Sequence, residues 1–402
     1  MLILDLNLET RVWDKYEHFI YERIVQGIVS VCLSNRVLPV IKTVRGSNIC
    51  ARIAQEVYEF FENNFDFVKR ECGREINGLL FLFDRKEDPV TPLLNQWTYQ
   101  AMIHELIGIN NNVIEIKYGS KTDQFVISDM DDKFFAGNIN NDFGDVASRI
   151  KELVERFNKE QERMDKKVET IEEIKKMVER LPEKKKESAE VTKHTNIVYE
   201  LTELMQKRNL LDLSSLEQDM ACSDNRSNHY SRVVSIIKSD KYTPLDKAKI
   251  FLIYSIRYEG DNSIQNLKQI MQENNAGGFV EYLDYLLMYS GKNKRHLDVF
   301  NNKDFISMST NKLMSAFKNI PNVFTQHSSY MPTIIEKILK GKDVKEVDTL
   351  LFPNQREKYN KIIVFNFGGI TYEESRDCTL LSKNNKDIPI IVGGSTIHNS
   401  KR

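Results

Sequence analysis

Cysteine is scarce in this chain and never paired: Cys32, Cys50, Cys72, Cys222 and Cys378 are scattered over 402 positions. Odd in number and without C-x-x-C spacing, they exclude a disulfide framework or a zinc cluster and read as reduced thiols of a cytosolic protein. An excess of either charge is also lacking, with 57 Lys and Arg against 58 Asp and Glu. That balance argues against a nucleic-acid binder, which would carry a basic module. No apolar run approaches the ~20 residues that cross a bilayer. The first eleven positions mix acidic and basic side chains and lack the apolar core of a signal peptide. Any action on membranes would pass through a partner.

The catalytic inventory is nearly empty. Gly368-Gly369 and Gly393-Gly394 follow apolar runs, but neither fits G-x-G-x-x-G or G-x-x-x-x-G-K-[ST], so no nucleotide or other cofactor is expected. No G-x-S-x-G occurs. His104-Glu105 opens like H-E-x-x-H, yet position 108 is glycine and no zinc pair forms. His194 and His327 stand alone and read as packed, hydrogen-bonded histidines. Lys184-Lys185-Lys186 is bracketed by Glu183 and Glu187, which offset it, so it reads as a solvated loop and not as a lipid-binding patch. Asp129-Met-Asp131-Asp132 contains a D-x-D. A metal-dependent nucleotide-sugar transferase could use Asp129 and Asp131 to hold Mg²⁺ or Mn²⁺, and this is the enzymatic alternative; a solvated turn is the plainer reading.

What the chain does have is a corner. The run Gly78-Leu-Leu-Phe-Leu-Phe83 has the length and bulk of a buried strand, and Asp84-Arg85-Lys86-Glu87-Asp88-Pro89-Val90-Thr91-Pro92 follows it. Pro89 and Pro92 each remove a backbone donor and stop the ladder. Thr91 is placed to cap a helix with Pro92 in its first turn, carrying Leu94, Trp97, Ala101 and Glu105 on one face and closing at Gly108. Charges at the carboxyl end of a parallel strand can be catalytic. With no nucleophile or metal-ligand cluster beside them, Asp84, Arg85 and Asp88 are expected to pair with each other and with backbone N–H groups and to fix the corner.

Around the corner, Val37-Leu-Pro-Val-Ile41 reads as a strand and Ser47 as the cap of a helix carrying Ile49, Ile53, Val57 and Phe60/Phe61. A loop-rich stretch ends near Asn141. A charged helix from 146 to 181 would be ~54 Å long at ~1.5 Å per residue. Pro182 is expected to interrupt it at a polar turn, Glu183–Ser188. A second helix then returns with Val191, His194, Ile197, Val198, Leu201 and Met205 on a narrow apolar stripe. Two thin-seamed helices describe a long projecting hairpin, open either to self-packing or to an extended helical partner.

Helices follow from Thr243-Pro244 and around 263–273, 279–289, 305–318 and 331–340. Then Lys361–Phe367 and Ile388–Val392 read as strands with a helix between them. Two strands and one helix would leave apolar faces wet, so the carboxyl-terminal stretch should complete the sheet begun by the amino-terminal one. The expected fold is therefore α/β plus all-α. A parallel-sheet domain of residues 1–110 with 355–402 is split by a helical insertion, comprising a hairpin region at 111–224 and a further helical region at 225–354.

The corner with Asn95-Gln96-Trp97-Thr98-Tyr99-Gln100-Ala101-Met102-Ile103-His104-Glu105-Leu106 resembles the SM proteins, the Sec/Munc-type syntaxin-binding regulators of membrane fusion. Further matching pieces are Arg208-Asn209-Leu210-Leu211, Glu217-Gln218-Asp219, Val323–His327, Gly368–Glu374 and Val392–Asn399. The resemblance implies no enzymatic activity. It implies a syntaxin-type Qa-SNARE as partner, templating of the SNARE bundle, and a monomer associated with endosomal or Golgi membranes through its partners. By the same resemblance the hairpin is the SNARE-binding site, with Pro182 at its turn and Val191, His194, Ile197, Val198 and Leu201 on the returning helix. By the resemblance, Met1 is expected to fall near the junction into the family's second domain, after the first domain that holds the syntaxin's amino-terminal peptide. By the same resemblance, the family's terminal helix is expected to follow the Gly393-Gly394 strand.

Overall fold

The computed structural model of the protein describes residues 10–73, 77–118, 121–164, 171–300, 326–342, 344–351, 359–385 and 388–400. They divide into two compact units. One holds residues 10–94, 216–300 and 326–400, and the other holds 95–215. The helices expected as a separate region at 225–354 thus share a unit with the sheet.

The first unit is built on a five-stranded sheet of order β5-β1-β2-β6-β7, with β1 Pro39–Val44, β2 Gly78–Asp84, β5 Val347–Leu351, β6 Lys361–Phe367 and β7 Ile390–Gly394. β2 is central and all seven of its residues are buried, as its unbroken apolar run requires. It lies parallel to β1 on one side and to β6 on the other, with Leu80 opposite Ile41 and Ile363. Two stretches nearly three hundred residues apart in sequence therefore share one sheet. Gly78 is required at the start of β2, because a Cβ there would stand 2.6 Å from Val37 Cγ1 and 2.9 Å from the Lys361 carbonyl. The antiparallel edge strand β5 carries no alternation that the sequence reading caught.

Helices cover both faces. α1 (Thr10–Ser34) and α3 (Phe65–Cys72) accompany α2 (Asn48–Asn63), which is capped by Ser47 accepting from Cys50 N at 3.2 Å. α2 buries Cys50, Ile53, Ala54, Val57 and Phe61, at ~1.5–3 kcal/mol for each large apolar side chain. The helical part of this unit runs through α9 (Arg226–Lys238), α10 (Pro244–Arg257), α11 (Ser263–Glu273), α12 (Val280–Ser290) and α13 (Tyr330–Leu339). α10 starts on a reciprocal Thr243/Asp246 capping box with Pro244 behind it. The crossover helix α14 (Tyr372–Asn384) opens on a second such box, Thr371 with Glu374. The helix expected at 305–318 lies outside the described residues.

The second unit replaces the expected loop-rich stretch with a β-hairpin, β3 (Val113–Tyr118) against β4 (Lys121–Val126), followed by the short α5 (Lys133–Asn138). Ile114 and Ile116 are buried on one face of the hairpin and Glu115 and Lys117 are exposed on the other. α6 spans Phe143–Met164 and packs along α7, Ile171–Lys207, which leads to α8, Leu210–Cys222. The backbone of α7 passes through Pro182 as helix, which corrects the expected interruption there. Glu183–Ser188 is made of Lys, Glu and Ser without glycine or asparagine, and such residues continue a helix readily. The one hydrogen bond that proline removes is outweighed by the long helix on either side. The connection between the two helices falls at 165–170, outside the described residues.

Candidate functional site

The corner is a closed knot of buried charge. Asp84, Arg85, Glu87, Asp88 and Thr91 are all buried, Glu87 and Asp88 completely. Arg85 Nη2 donates to both carboxylate oxygens of Glu374 (2.7 and 2.6 Å), and its other nitrogens reach the Gly369 and Asp88 carbonyls. Glu374 in turn accepts from Ser329 Oγ at 3.0 Å and caps its own helix through Thr371 N at 2.9 Å. Asp84 accepts from Ser47 Oγ (2.6 Å), Lys86 N (3.0 Å) and Tyr289 OH (3.0 Å). Asp88 accepts from Thr91 N (3.0 Å) and Thr91 Oγ1 (2.6 Å), and Glu87 accepts from the backbone N–H groups of His296 (2.7 Å) and Leu297 (3.0 Å).

Electrostatics agree with that geometry. Burial alone would lift the Asp88 carboxyl, but Arg85, His327 and the Thr91 hydrogen bonds hold it below its ordinary range. Burial would likewise weaken the Arg85 proton, and Glu374 and Asp88 outweigh it. Every charge here is spoken for, so the knot joins the end of β2 to the loops at 290–297, 326–330 and 369–374 and offers no group for chemistry. The expected pairing within the corner is refined: Arg85 takes Glu374 as its main partner, and Asp84 takes hydroxyls and its own turn.

One expectation fails at this corner. Thr91 does not cap a long helix. Its hydroxyl is spent on Asp88, and only a short 3-10 turn, Thr91–Leu93, forms around Pro92. The chain runs extended from Leu94, makes a brief α-helix, α4 (Tyr99–Met102), and widens into a π-turn at Ile103–Ile107. Gly108 does close it, at φ 101°, with its N–H on the Ile103 carbonyl at 2.8 Å. Pro89 lies in the preceding turn as expected.

The returning helix α7 is held inward. Val191, His194, Ile197 and Leu201 are buried, the last three completely, and Val198 is half-buried. Of the two readings left open for this apolar stripe, self-packing or an extended partner, these side chains follow the first and pack against the unit's own interior; the side chain of Pro182 lies outside the described residues. The outward stripe of the same helix is Thr192, Thr195, Tyr199 and Glu203, and Tyr199 is 60% exposed.

A polar chain crosses the buried seam at His194. Its Nε2 lies 2.9 Å from Asp132 Oδ2 and its Nδ1 lies 2.8 Å from Tyr99 OH. Lys193 forms an ion pair with the same Asp132 oxygen and reaches the Val126 carbonyl at 3.2 Å. The other Asp132 oxygen caps α5 by accepting from Phe135 N at 2.8 Å. Burial favours protonation of Asp132, but His194, Lys193 and the Phe135 N–H outweigh it and keep the carboxyl ionised. An ionised carboxylate only accepts, so His194 Nε2 carries the hydrogen. Tyr99, whose hydroxyl is pushed well above its ordinary range by burial and by Asp132, keeps its proton and shares a hydrogen bond with Nδ1.

His327 is hydrogen-bonded as foreseen, with Nε2 2.9 Å from Thr91 Oγ1 and its N–H on Gln218. Asp129 and Asp131 are exposed on the loop before α5, Met130 between them is 90% exposed, and no group of three or more candidate metal ligands occurs among the described residues. The sequence reading missed Glu374, Tyr99 and Asp132 as partners. Glu374 alone had a local signal, the T-x-x-E capping box.

Comparison with known proteins gives a consistent result. Residues 3–402 match the Sec1 family. The chain is 34% identical over 401 residues to human vacuolar protein sorting-associated protein 45, covering 97% of this chain and 69% of the human protein. It is likewise 34% identical to the Arabidopsis thaliana homolog, over 95% of this chain and 68% of that protein. Among solved structures, the SM protein Vps45 in complex with the Qa SNARE Tlg2 superposes with a TM-score of 0.82 at 30% identity, covering 96% of this chain and 69% of that one.

Proposed function

This chain belongs to the Sec1 family of SM proteins, which regulate SNARE-mediated vesicle traffic and are not enzymes, and on that premise we propose that it binds a syntaxin-type Qa-SNARE and aligns SNARE helices for assembly in endosomal, Golgi or vacuolar transport. The observation that carries the reading is the likeness, over nearly the whole chain, to a relative solved with a Qa SNARE bound. The long helix α7 supports it. Its 37 residues span ~55 Å at ~1.5 Å per residue, enough to run beside several heptads of a partner coil.

The contact on α7 is made by its outward stripe around Tyr199, while Val191, His194, Ile197 and Leu201 hold the helix in place from behind. An aromatic anchor among small polar neighbours is the pattern that concentrates binding energy. Among the described residues no helix is long and apolar enough to cross a membrane, and membrane association is through the SNARE partner. Isothermal calorimetry with the cytosolic domain of an endosomal-type Qa-SNARE tests the proposal. A saturable one-to-one isotherm supports it; folded chain that gives no heat with any such SNARE at tens of micromolar (~10⁻⁵ M is ~7 kcal/mol of binding) removes it.

A further inference from the structure

Three features of the molecule remain outside that reading: a shallow polar pocket between Arg226, Tyr254 and Asp261, the exposed Phe65 and Phe67 on α3, and the polar chain that crosses the seam of α7. In the pocket Arg226 and Asp261 satisfy each other at 2.6 Å, and nothing shows what would cover the phenylalanines. The polar chain carries an inference.

A helix seam made only of Val191, Ile197 and Leu201 would pack well in several neighbouring registers and rotations, because apolar contact has no direction. Here the middle of the seam holds Tyr99, His194, Asp132 and Lys193, each bonded to the next and drawn from three places in the chain: Tyr99 from α4, Lys193 and His194 from α7, and Asp132 from just before α5. The Phe134 ring lies against the imidazole with centroids 4.6 Å apart, and His194 is fully buried. Replacing such a chain by apolar groups generally costs little stability, so its presence is explained by direction and not by strength. The same carboxylate also caps α5, which holds Asp132 in place, so a rotation of α7 would break both the imidazole bond and the Lys193 pair against a fixed partner.

We infer that Tyr99, His194, Asp132 and Lys193 form a register pin that fixes the rotation of α7 and thereby the direction in which Tyr99's unit presents Thr195, Tyr199 and Glu203 to a helical partner. The four are positioning residues and touch no partner themselves. The inference rests on the proposed SNARE-binding role of α7 only for its consequence; the pin itself is a property of the free protein.

Hydrogen exchange of the free chain and Qa-SNARE titration are measured together for the wild type, Asp132→Asn and Tyr99→Phe. The pin predicts at least ~10-fold faster exchange across 186–207 in Asp132→Asn, with strands β1, β2 and β6 unchanged, and a ~10-fold loss of affinity at temperatures well below the lowered melting temperature, where the chain is fully folded (~10-fold being 1.4 kcal/mol). Tyr99→Phe, which removes only a hydroxyl and keeps the packing, should show the same pattern more weakly. A purely structural role would lower melting temperature and affinity in proportion. Wild-type exchange at 186–207 in both variants overturns the pin. If neither the wild type nor the variants bind while Asp132→Asn still exchanges faster, the pin stands and the SNARE reading falls.

Discussion

Buried charge serves the two compact units in different ways. At the corner of the first, Arg85, Glu374, Asp84, Glu87 and Asp88 tie one strand end to three loops, and the bonds of Arg85 to Glu374, Asp84 to Tyr289 and Glu87 to His296 each join residues more than two hundred positions apart. In the second, a single carboxylate serves a helix cap, an imidazole and a lysine within one hundred residues. The first network makes distant chain segments one body. The second aims one helix. The lesson is that a buried ion cluster is not by itself a sign of catalysis: what it ties together says what it is for.

The largest expected effect tests the first network. Arg85→Met leaves Glu374 buried without its cation and should cost ~3–5 kcal/mol in urea unfolding. Adding Glu374→Leu should recover part of that, since the pair is removed together, while Asp88 still loses its guanidinium and Thr371 N its cap. A single-variant loss below ~1 kcal/mol would mean that the corner is not the tie described here.

The inner and outer faces of α7 should separate next. Ile197→Ala opens a cavity in the seam and is expected to cost ~2–4 kcal/mol. Tyr199→Ala, at an exposed position, should stay within ~0.5 kcal/mol and lose SNARE affinity instead. Equal effects of the two on stability would erase the distinction between the faces.

Acidification should weaken the corner in two steps. Burial lowers the affinity of His327 for its proton, against the pull of Asp88 and Glu374. The unfolded chain takes that proton near pH ~6.5, so stability falls as pH drops below this value toward the folded titration. Asp88, held low, adds stability that is full above its unfolded value of ~3.9 and is lost as pH falls through its folded one. Urea midpoints at successive pH values should show the first step, and His327→Gln should shrink it to the share of His229, whose imidazole is also pushed down by burial.

The smallest effect has the opposite sign. Burial and the neighbouring Glu373 push the Asp377 carboxyl up to about 8. The unfolded chain releases that proton at lower pH, so ionisation costs the fold stability from about pH ~4 upward. Asp377→Asn should therefore stabilise the protein at pH 7 by on the order of ~1 kcal/mol, and a loss there would contradict the assignment.

Most of the architecture was legible because strand burial is a run-length signal. Leu79–Phe83 and Ile362–Phe367 could only be central strands, and the need to cover them joined the two ends of the chain. Caps at Ser47 and Thr243 read directly from side-chain chemistry. Weak alternation hid β5 and the β3–β4 hairpin. Pro182 misled because a proline reads as a stop, although the lysines and glutamates after it are helix formers. The inward burial of Ile197 and Leu201 was out of reach as well. A narrow apolar stripe looks the same whether it faces its own body or a partner, and only Tyr99 and Asp132, distant in sequence, decide which.

Site-directed photo-crosslinking from α7 to a bound Qa-SNARE tests the account most directly. A photo-leucine (diazirine) side chain at position 199 should crosslink to the SNARE helix, and the same probe at position 197, close in size to the isoleucine it replaces, should react only within the chain. Crosslinks to the SNARE from 197, or from neither position with complex formed, would contradict it.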